Sequence, residues 1–195
     1  MNPTHQISEQ ISQHFGASIR VKEDALARLG GAIAAAAELC CRAVREGGTI
    51  FWAGNGGSAA DAQHMAAELV GRYKRERKAI RSHALTTNTS NLTAIGNDYG
   101  YDAVFERQLE AFVGAKDILI AISTSGNSVN VIRAAELARK AGAKVIALTG
   151  ESGGKLASAC DILLNVPSMD TPRIQETQFL IEHILCDLIE QSVTG

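Results

Sequence analysis

The sequence predicts an α/β protein with three layers, in which helices cover both faces of a doubly wound sheet of five parallel strands. Two observations support this fold class. Short apolar runs alternate along the chain with stretches rich in helix formers, which is typical of βαβ units. Three of the five runs are nearly uniformly apolar, as expected of strands that are buried on both faces.

Composition and charge restrict the class of protein. Hydrophobic residues make up 46% of the 195-residue chain, and no apolar run reaches the 18 or more residues of a membrane span. The net charge of -2 gives no general attraction to nucleic acid or anionic lipid. The four cysteines show no metal-cluster or disulfide spacing, and the start of the chain lacks the pattern of a secretory signal. We therefore expect a soluble, cytoplasmic protein with reduced thiols.

The elements follow one another within one predicted domain, residues 1–195. The N-terminal helical segment, 1–48, contains a helix from Glu23 to Arg45 with a weak point at Gly30 and Gly31. The α/β core, 49–166, carries strands predicted at 49–53, 81–86, 117–123, 144–149 and 161–166. Helices are predicted between them at 58–73, at 89–113 with a break at GNDYG, and at 127–141, with a short turn near 153–159.

The last predicted element is a C-terminal helix over 170–193. Thr171 is a suitable N-cap, and Pro172 suits the first helical position, where its missing N–H costs little. A broad apolar face follows, formed by Ile174, Ile181, Ile184, Leu185, Leu188 and Ile189. The two terminal helices together offer more apolar surface than a five-stranded sheet needs. We expect them to form an oligomer interface, with a large core as the alternative.

The loop after the first strand has the glycine spacing of a dinucleotide-binding turn at Gly54, Gly56 and Ala59. Such a site also needs an acidic residue at the end of the second strand, where this chain has HALTTNTS. We therefore reject a dinucleotide site. The backbone amides of the turn can still bind an anion or a polar substrate. Alternatively, the glycines only form the turn, and Ser58 and Asp61 cap the helix.

His64 and Glu68 lie one turn apart on the helix that follows. At positions i and i+4 they share one face and differ in height by about 6 Å, so both can reach one ligand. This spacing fits half of a metal site, or a base with its orienting partner. It also fits an exposed ion pair, which the spacing alone favours.

A second polar loop, STSGNS at 123–128, follows the third strand and precedes a helix. Five of its six residues carry a hydroxyl or amide side chain. Hydroxyls and backbone amides at a helix N-terminus bind phosphate oxygens, so the loop predicts a phosphate site; an ordinary serine-capped loop is the alternative. The P-loop pattern is absent from the sequence, which disfavours nucleotide hydrolysis. Because the carboxyl ends of parallel strands share one edge, we expect both loops to open together.

Four segments together resemble a known family: AGNGGSAADAQHMAAEL, LTAIGNDYG, ISTSGNS and DTPRIQETQFLIEH. In this order, over nearly the whole chain, they resemble the bacterial phosphoheptose isomerases of the sugar isomerase (SIS) superfamily. The resemblance implies the SIS, flavodoxin-like fold and conversion of sedoheptulose 7-phosphate to D-glycero-D-manno-heptose 7-phosphate in the cytoplasm, for heptose and lipopolysaccharide precursor synthesis. It also implies one zinc ion per subunit and a homotetramer whose sites lie between subunits.

The resemblance assigns roles to individual residues. It implies that Glu68 is the catalytic base and His183 the catalytic acid. The implied zinc ligands are His64, Glu68, Gln175 and His183. The implied substrate contacts are Asn55, Gly56, Gly57, Glu68, Asn97, Asp98, Gln175 and, at the phosphate, Ser123, Thr124, Ser125 and Ser128.

Gln175 and His183 are difficult to bring to one metal ion. Eight residues on a straight helix separate two side chains by about 12 Å and about 80°. Convergence therefore requires leaning side chains, a bent helix or a neighbouring subunit. Glutamine is an unusual zinc ligand, so we expect a weak or exchangeable site. Without the resemblance, His183 would be interpreted as a helix histidine beside Glu176 and Asp187, and Gln175 as a solvated residue.

Two other functions fit part of the sequence. A related SIS protein associates with the bacterial replication initiator without catalysis, but Glu68 and His183 favour an enzyme. A phosphosugar sensor fused to a DNA-binding module is disfavoured, because the segment before the first strand has no basic recognition helix. The basic run RYKRERKAIR, 72–81, is interpreted as a solvated loop, with attraction of an anionic sugar phosphate as an alternative.

Overall fold

A computed structural model describes residues 3–194 and contains a sheet of five parallel strands between two layers of helices. Across the sheet the strand order is second, first, third, fourth, fifth. The strands are β1 Ile50–Gly54, β2 Ser82–Ala84, β3 Ile118–Ile122, β4 Lys144–Thr149 and β5 Ile162–Asn165. Because β1 and β3 are neighbours, the loops that follow them open side by side. The predicted α/β fold class is confirmed.

The helices connect these strands and extend beyond them at both ends. They are α1 Pro3–Arg45, α2 Gly57–Val70, α3 Thr89–Tyr99, α4 Glu106–Glu110, α5 Val129–Lys140 and α6 Thr171–Thr194. Short 3₁₀ turns occupy Tyr101–Ala103 and Lys155–Ala159. The break predicted at GNDYG is confirmed: the chain leaves α3 at Gly100, whose φ of 84° is readily adopted by glycine.

Two apolar clusters hold the layers together, one on each face of the sheet. Alternate strand residues point to opposite faces, so Trp52 and Ile120 join the cluster with α1, α2 and α6. Phe51 and Leu119 join the other cluster, which contains α4, α5 and the second 3₁₀ turn. The near-uniform apolar character of the central strands thus results from burial on both sides. Trp52 is fully buried, as expected of a core residue.

The first helix is much longer than predicted. It runs without interruption through Gly30 and Gly31, and it begins at Pro3 rather than at Glu23. The prediction failed because it relied on strong helix formers. Packing against α6, supported by buried residues such as Ala25 and Leu29, outweighs the low helix propensity of the glycine pair.

Two boundary predictions also need correction. The β2 strand covers only Ser82–Ala84 of the predicted 81–86, because it is an edge strand that pairs only with β1. The N-cap of helix α6 lies one residue before the predicted one: the Asp170 carbonyl accepts a hydrogen bond from the Ile174 N–H, 2.9 Å away. Asp170 is therefore the N-cap rather than Thr171.

The apolar face predicted for α6 divides into two parts. Ile174, Ile181, Leu185 and Ile189 are buried in the core, whereas Ile184 and Leu188 remain exposed in the single chain. Along α1, exposed apolar side chains recur every four residues at Ile7, Ile11, Phe15 and Ile19, and Leu26 follows two turns later. The single chain thus leaves two adjacent apolar surfaces without a covering layer.

All four cysteines are free, and burial raises the pKa of the Cys40 and Cys186 thiols. Within residues 3–194, none of the helices combines the length and apolar character needed to cross a membrane.

Candidate active site

The centre of the site is a cluster of three side chains from α2 and α6. His64 and Glu68, one turn apart on α2, place Nε2 and Oε1 2.9 Å from each other. His183 reaches them from α6, so that one ligand atom from each residue lies within 4.8 Å of the others. His64 and Glu68 therefore form the i,i+4 pair that their spacing predicts, but the pair is not isolated on the surface. A third titratable side chain joins it.

His183 is held in one orientation by its own helix and by neighbouring rings. Its Nδ1–H donates to the Phe179 carbonyl oxygen at 2.9 Å, which directs Nε2 away from the helix backbone. The imidazole packs against the ring of Phe179 at 4.4 Å between centroids and against His64 at 5.2 Å. The ring of Tyr73 lies 5.6 Å away on another side.

The donor set of this cluster suits a metal ion. Two imidazole nitrogens and a carboxylate oxygen are common ligands of divalent transition metals, and the Nδ1 bond of His183 is the usual way to fix such a ligand. Bonds of about 2.1 Å around a tetrahedral ion place ligand atoms about 3.4 Å apart. The ligand atoms of this cluster, all within 4.8 Å of one another, lie on the scale of such a site.

Gln175 lies farther toward the start of α2. Its Nε2 is 3.4 Å from Asp61 Oδ2, and a Cβ atom at Gly57 would overlap its amide group. Gly57 is thus needed for the close approach of α6. Helix α6 runs alongside α2 in the same direction, so Gln175 meets the first turn of α2 while His183 meets the later turns. The predicted role of Gln175 as a fourth ligand stays a prediction.

Two further carboxyl groups lie beneath the cluster. Burial raises the pKa of Asp61, although the Gln175 hydrogen bond and the nearby histidines oppose that shift. Glu182 is fully buried, and its burial together with the charge of Asp61 raises its pKa to about 8. Within residues 3–194, neither carboxylate oxygen of Glu182 has a hydrogen-bond partner. Two carboxyl groups with little access to solvent therefore lie beneath the cluster.

The second loop forms a compact polar turn after β3. The hydroxyl oxygens of Ser123 and Ser128 lie 3.0 Å apart across it, and the Asn127 N–H donates to Ser125 Oγ. The Thr124 carbonyl accepts the Gly150 N–H at 2.9 Å, which ties the turn to the end of β4. Ser128 immediately precedes α5, so the loop leads into a helix N-terminus, as a phosphate site requires.

Hydrogen bonds join the two loops directly. The side-chain amides of Asn55, after β1, and Asn130, in the first turn of α5, exchange two hydrogen bonds of 2.9 Å. The Tyr101 hydroxyl lies 3.3 Å from Asn55 Oδ1. The expectation that both loops share one edge of the sheet is confirmed.

The remaining predicted contacts lie around this edge. Gly56 and Gly57 are exposed in the first turn, where Gly56 has a φ of 56°. Because α2 begins at Gly57, Ser58 lies inside the helix and cannot be its N-cap, which removes that alternative. Asn97 and Asp98 are exposed on α3 and hydrogen-bond to each other at 2.8 Å. Tyr101 connects their segment to the site.

The geometry agrees with comparisons to known proteins. The family model described as SIS domain matches residues 13–150. Proteins named phosphoheptose isomerase are 57% identical in Aliarcobacter butzleri, over 82% of this chain and 84% of the relative, and 53% identical in Sulfurimonas denitrificans, over 97% and 96%. The chain belongs to the phosphoheptose isomerase family of SIS-domain proteins.

Solved structures of this family show the same fold over nearly the full length. The phosphoheptose isomerase of Neisseria gonorrhoeae aligns with a TM-score of 0.89 at 48% identity, covering 95% of this chain and 99% of that one. The phosphoheptose isomerase of Francisella tularensis aligns with a TM-score of 0.90 at 41% identity, covering 94% and 97%. The family resemblance inferred from four segments is therefore confirmed.

Several residues that contact the candidate site were not recognised from the sequence. Asp61 was considered only as a helix cap, although its place three residues before His64 puts it on the same face. Phe179 stands midway between Gln175 and His183 at i+4 spacing, which is a usable signal. No local sequence pattern marks Tyr73 or Asn130 as site residues, because only the fold brings their segments close to the other site residues.

The basic run is a loop after α2, as predicted, and most of its residues are exposed. It is also attached to α6: Lys74 and Arg75 pair with Asp187 at 3.6 and 3.0 Å, and Arg72 lies 4.0 Å from Glu76. Pairing reduces the charge that this segment offers to an anion.

We expect Gly126→Ala to lower the stability of the second loop. Gly126 has a φ of 66°, and a Cβ atom there would overlap the backbone of Gly153. We expect a loss of about 2–4 kcal/mol in the free energy of unfolding, measured by urea titration. Gly31→Ala is the control: its Cβ meets nothing within 4 Å inside α1, so no loss is expected. A Gly126→Ala loss no larger than that of the control would contradict this account.

Proposed function

We propose that this chain converts sedoheptulose 7-phosphate to D-glycero-D-manno-heptose 7-phosphate through a cis-enediol. The observation that carries the proposal is the meeting of Glu68, His64 and His183 between α6 and α2, the helix that begins at the sheet edge beside the second loop. A proton-transfer group and a phosphate cradle are what an aldose–ketose isomerase acting on a sugar phosphate needs. The relatives named phosphoheptose isomerase supply the substrate class.

The reaction moves hydrogen between adjacent carbons. A base removes a proton from C1 of the ketose, the resulting cis-enediol is stabilised, and the proton returns to C2 to form the aldose. Glu68 serves as this base, with its carboxylate held against His64. When its Nε2, which points away from its own helix, carries a proton and no metal ion, His183 protonates O2 as the enediol forms and later receives the proton of O1.

The other predicted residues bind and orient the sugar phosphate. Ser123, Thr124, Ser125 and Ser128 hold the phosphate with their hydroxyl groups and the first turn of α5. The sugar hydroxyls then lie between this loop and the cluster. Contacts to them are proposed for Asn55, Gly56, Gly57, Asn97, Asp98 and Gln175.

We further propose that the cluster holds a zinc ion. His64, Glu68 and His183 would be its ligands, with Gln175 as the fourth. When bound, zinc polarises the substrate oxygens and acidifies the C–H bond that the base must break. The support is the donor set and the oriented imidazole of His183. Gln175 already shares a hydrogen bond with Asp61, so its coordination is expected to be the weakest.

The assembly is proposed to be a homotetramer with its sites between subunits. The exposed apolar residues of α1 and α6 support this, because they border an apolar groove lined by Ile19, Leu26, Leu180 and Ile184. Large contiguous apolar surfaces are uncommon on monomers. We also propose that residues 1–195 form a single domain, since α1 and α6 share one apolar cluster with the sheet.

The proposed location is the bacterial cytoplasm, and the proposed role is to supply heptose for lipopolysaccharide precursors. Both follow from the activity assigned to the relatives. The non-catalytic alternative is not favoured, because the structure brings Glu68 and His183 together.

Isomerase activity is tested by incubating the purified protein with sedoheptulose 7-phosphate and detecting the aldoheptose by NMR. We expect Glu68→Gln and His183→Gln to lower kcat by about 10²–10⁴-fold, since each removes a proton-transfer group. Glu136→Gln, an exposed change on α5, is the matched control and should keep wild-type activity. No aldose from the folded wild type would refute the activity, and full activity of both variants would refute the residue roles.

Zinc binding is tested by competition with a chromogenic chelator. We expect one zinc per subunit, with affinity at least about 10-fold weaker in His64→Gln and in His183→Gln. The Gln175→Ala variant should weaken binding less. His83→Gln, a change at an exposed histidine of β2, is the control and should bind zinc like the wild type. Equal affinity in all these proteins would place the metal elsewhere.

The oligomer interface is tested by light scattering after size-exclusion chromatography. Leu26→Asp and Leu180→Asp place charges in the apolar groove, so we expect the wild-type tetramer to dissociate into smaller species. Phe112→Asp alters an equally exposed apolar residue beyond α4 and should leave the mass unchanged. A monomeric wild type, or unaltered mass in both groove variants, would contradict the proposed interface.

A further inference from the structure

The segment between α2 and β2 is organised by one buried carboxylate on α6. Glu190 has no exposed surface, and its two oxygens accept the backbone N–H groups of Tyr73, Lys74 and Arg75 at 2.8–2.9 Å. Burial acts to raise the pKa of Glu190, but these N–H groups and the nearby Arg77 outweigh it, so the pKa lies below the ordinary value. Glu190 is therefore a charged anchor for consecutive backbone amides.

Arg77 connects this anchor to the end of α2. Its side chain is only 3% exposed, and its Nε lies 3.3 Å from Glu190 Oε1. Its two terminal nitrogens donate to the Gly71 carbonyl at 2.7 Å and to the Glu68 carbonyl at 2.8 Å. Helix α2 has no basic residue in its own last turn, so Arg77 satisfies carbonyl groups that the helix leaves unpaired.

One of these contacts ends at a residue of the cluster, and the other ends at a residue that packs against the cluster. Arg77 holds the backbone of Glu68, whose side chain pairs with His64. The amides bound by Glu190 begin at Tyr73, whose ring packs against the imidazole of His183. The clamp, defined as Glu190 with Arg77, thus fixes the backbone on the α2 side while α6 itself carries His183.

We propose that Glu190 and Arg77 are positioning residues that set the distance and orientation between Glu68 and His183, with Tyr73 as the wall that keeps the His183 ring in place. This inference rests on the proposed isomerase function of the cluster. Displacement of a reacting group by about 1 Å reduces turnover by up to about 10²-fold. Loss of the clamp should therefore lower turnover more than substrate binding, because the phosphate loop lies on other elements.

A purely structural anchor exists elsewhere in the chain and supplies the control. Asp117 is buried and accepts the N–H groups of Thr49 and Gly114, both at 2.7 Å. These residues precede β1 and β3, so this anchor lies at the amino edge of the sheet, and its printed hydrogen bonds involve no residue of the cluster. Asp117→Asn removes a buried carboxylate of the same kind without touching the cluster.

The test compares Glu190→Gln, Arg77→Lys and Tyr73→Leu with Asp117→Asn at a temperature where each is folded. We expect the first two variants to lower kcat by about 10–100-fold with KM changed by less than about 3-fold, and Tyr73→Leu to lower kcat by a smaller factor. In Glu190→Gln, hydrogen exchange of the backbone N–H groups of residues 73–75 should become faster, because these groups lose their carboxylate acceptor. Ring resonances of His183 in NMR spectra should shift in all three, and in Asp117→Asn all of these readouts should match the wild type.

The proposal is overturned if Glu190→Gln and Arg77→Lys fold, keep wild-type kcat and leave the His183 resonances unmoved. It is also overturned if Asp117→Asn reproduces the loss of kcat. If either clamp variant fails to fold, Tyr73→Leu decides, because it leaves both anchors in place: unchanged kcat and His183 resonances would reject the proposal. A wild type inactive on sedoheptulose 7-phosphate would instead refute the proposed function, and the His183 resonances would still test the clamp.

Discussion

The alignment of α6 beside α2, in the same direction and over three successive levels, is the constraint on which the site depends. Gln175 meets the first turn of α2, His183 meets His64 and Glu68, and Glu190 binds the segment that follows α2. Apolar packing sets this alignment, since one cluster contains the buried residues of both helices: Ala62, Met65, Ala66, Leu69, Ile174, Ile181, Leu185 and Ile189. A shift of one helix by a turn would separate all three polar contacts at once.

In this alignment α6 also buries polar side chains, although the burial of polar groups without hydrogen-bond partners is energetically unfavourable. Gln178 and Glu182 have no exposed surface, and within residues 3–194 their side-chain oxygens lack hydrogen-bond partners. A pKa of about 8 means that the Glu182 carboxyl is mainly protonated at pH 7, which avoids a buried charge beside Asp61. Departures from ideal burial of this kind are expected where a helix must present functional groups to a site.

The loops contribute a second, independent part of the site. Their position follows from the order of β1 and β3 in the sheet, and the paired amides of Asn55 and Asn130 fix one loop against the other. The proposed phosphate site and the proposed proton-transfer cluster are therefore held by different interactions, one at the sheet edge and one between two helices. The SIS fold supplies the first, and only the particular residues of α2 and α6 supply the second.

Local sequence determined the regular elements and the chemistry that they carry. The apolar strands, the glycine turn before α2 and the hydroxyl-rich turn before α5 depend on nearest neighbours and periodicity, so they were predicted with small boundary errors. His64 and Glu68 were also accessible, because i,i+4 spacing on a helix fixes their proximity. Recognition of the family from four segments added His183 and Gln175.

Only the tertiary structure decided which distant residues meet. Helix α1 packs against α6 and continues through Gly30 and Gly31, Tyr73 contacts both Glu190 and His183, and the basic run pairs with Asp187 on α6. The side chains involved in these contacts are more than 100 positions apart in the sequence. Their proximity results from the burial of apolar faces across the whole domain, a property that no local pattern records.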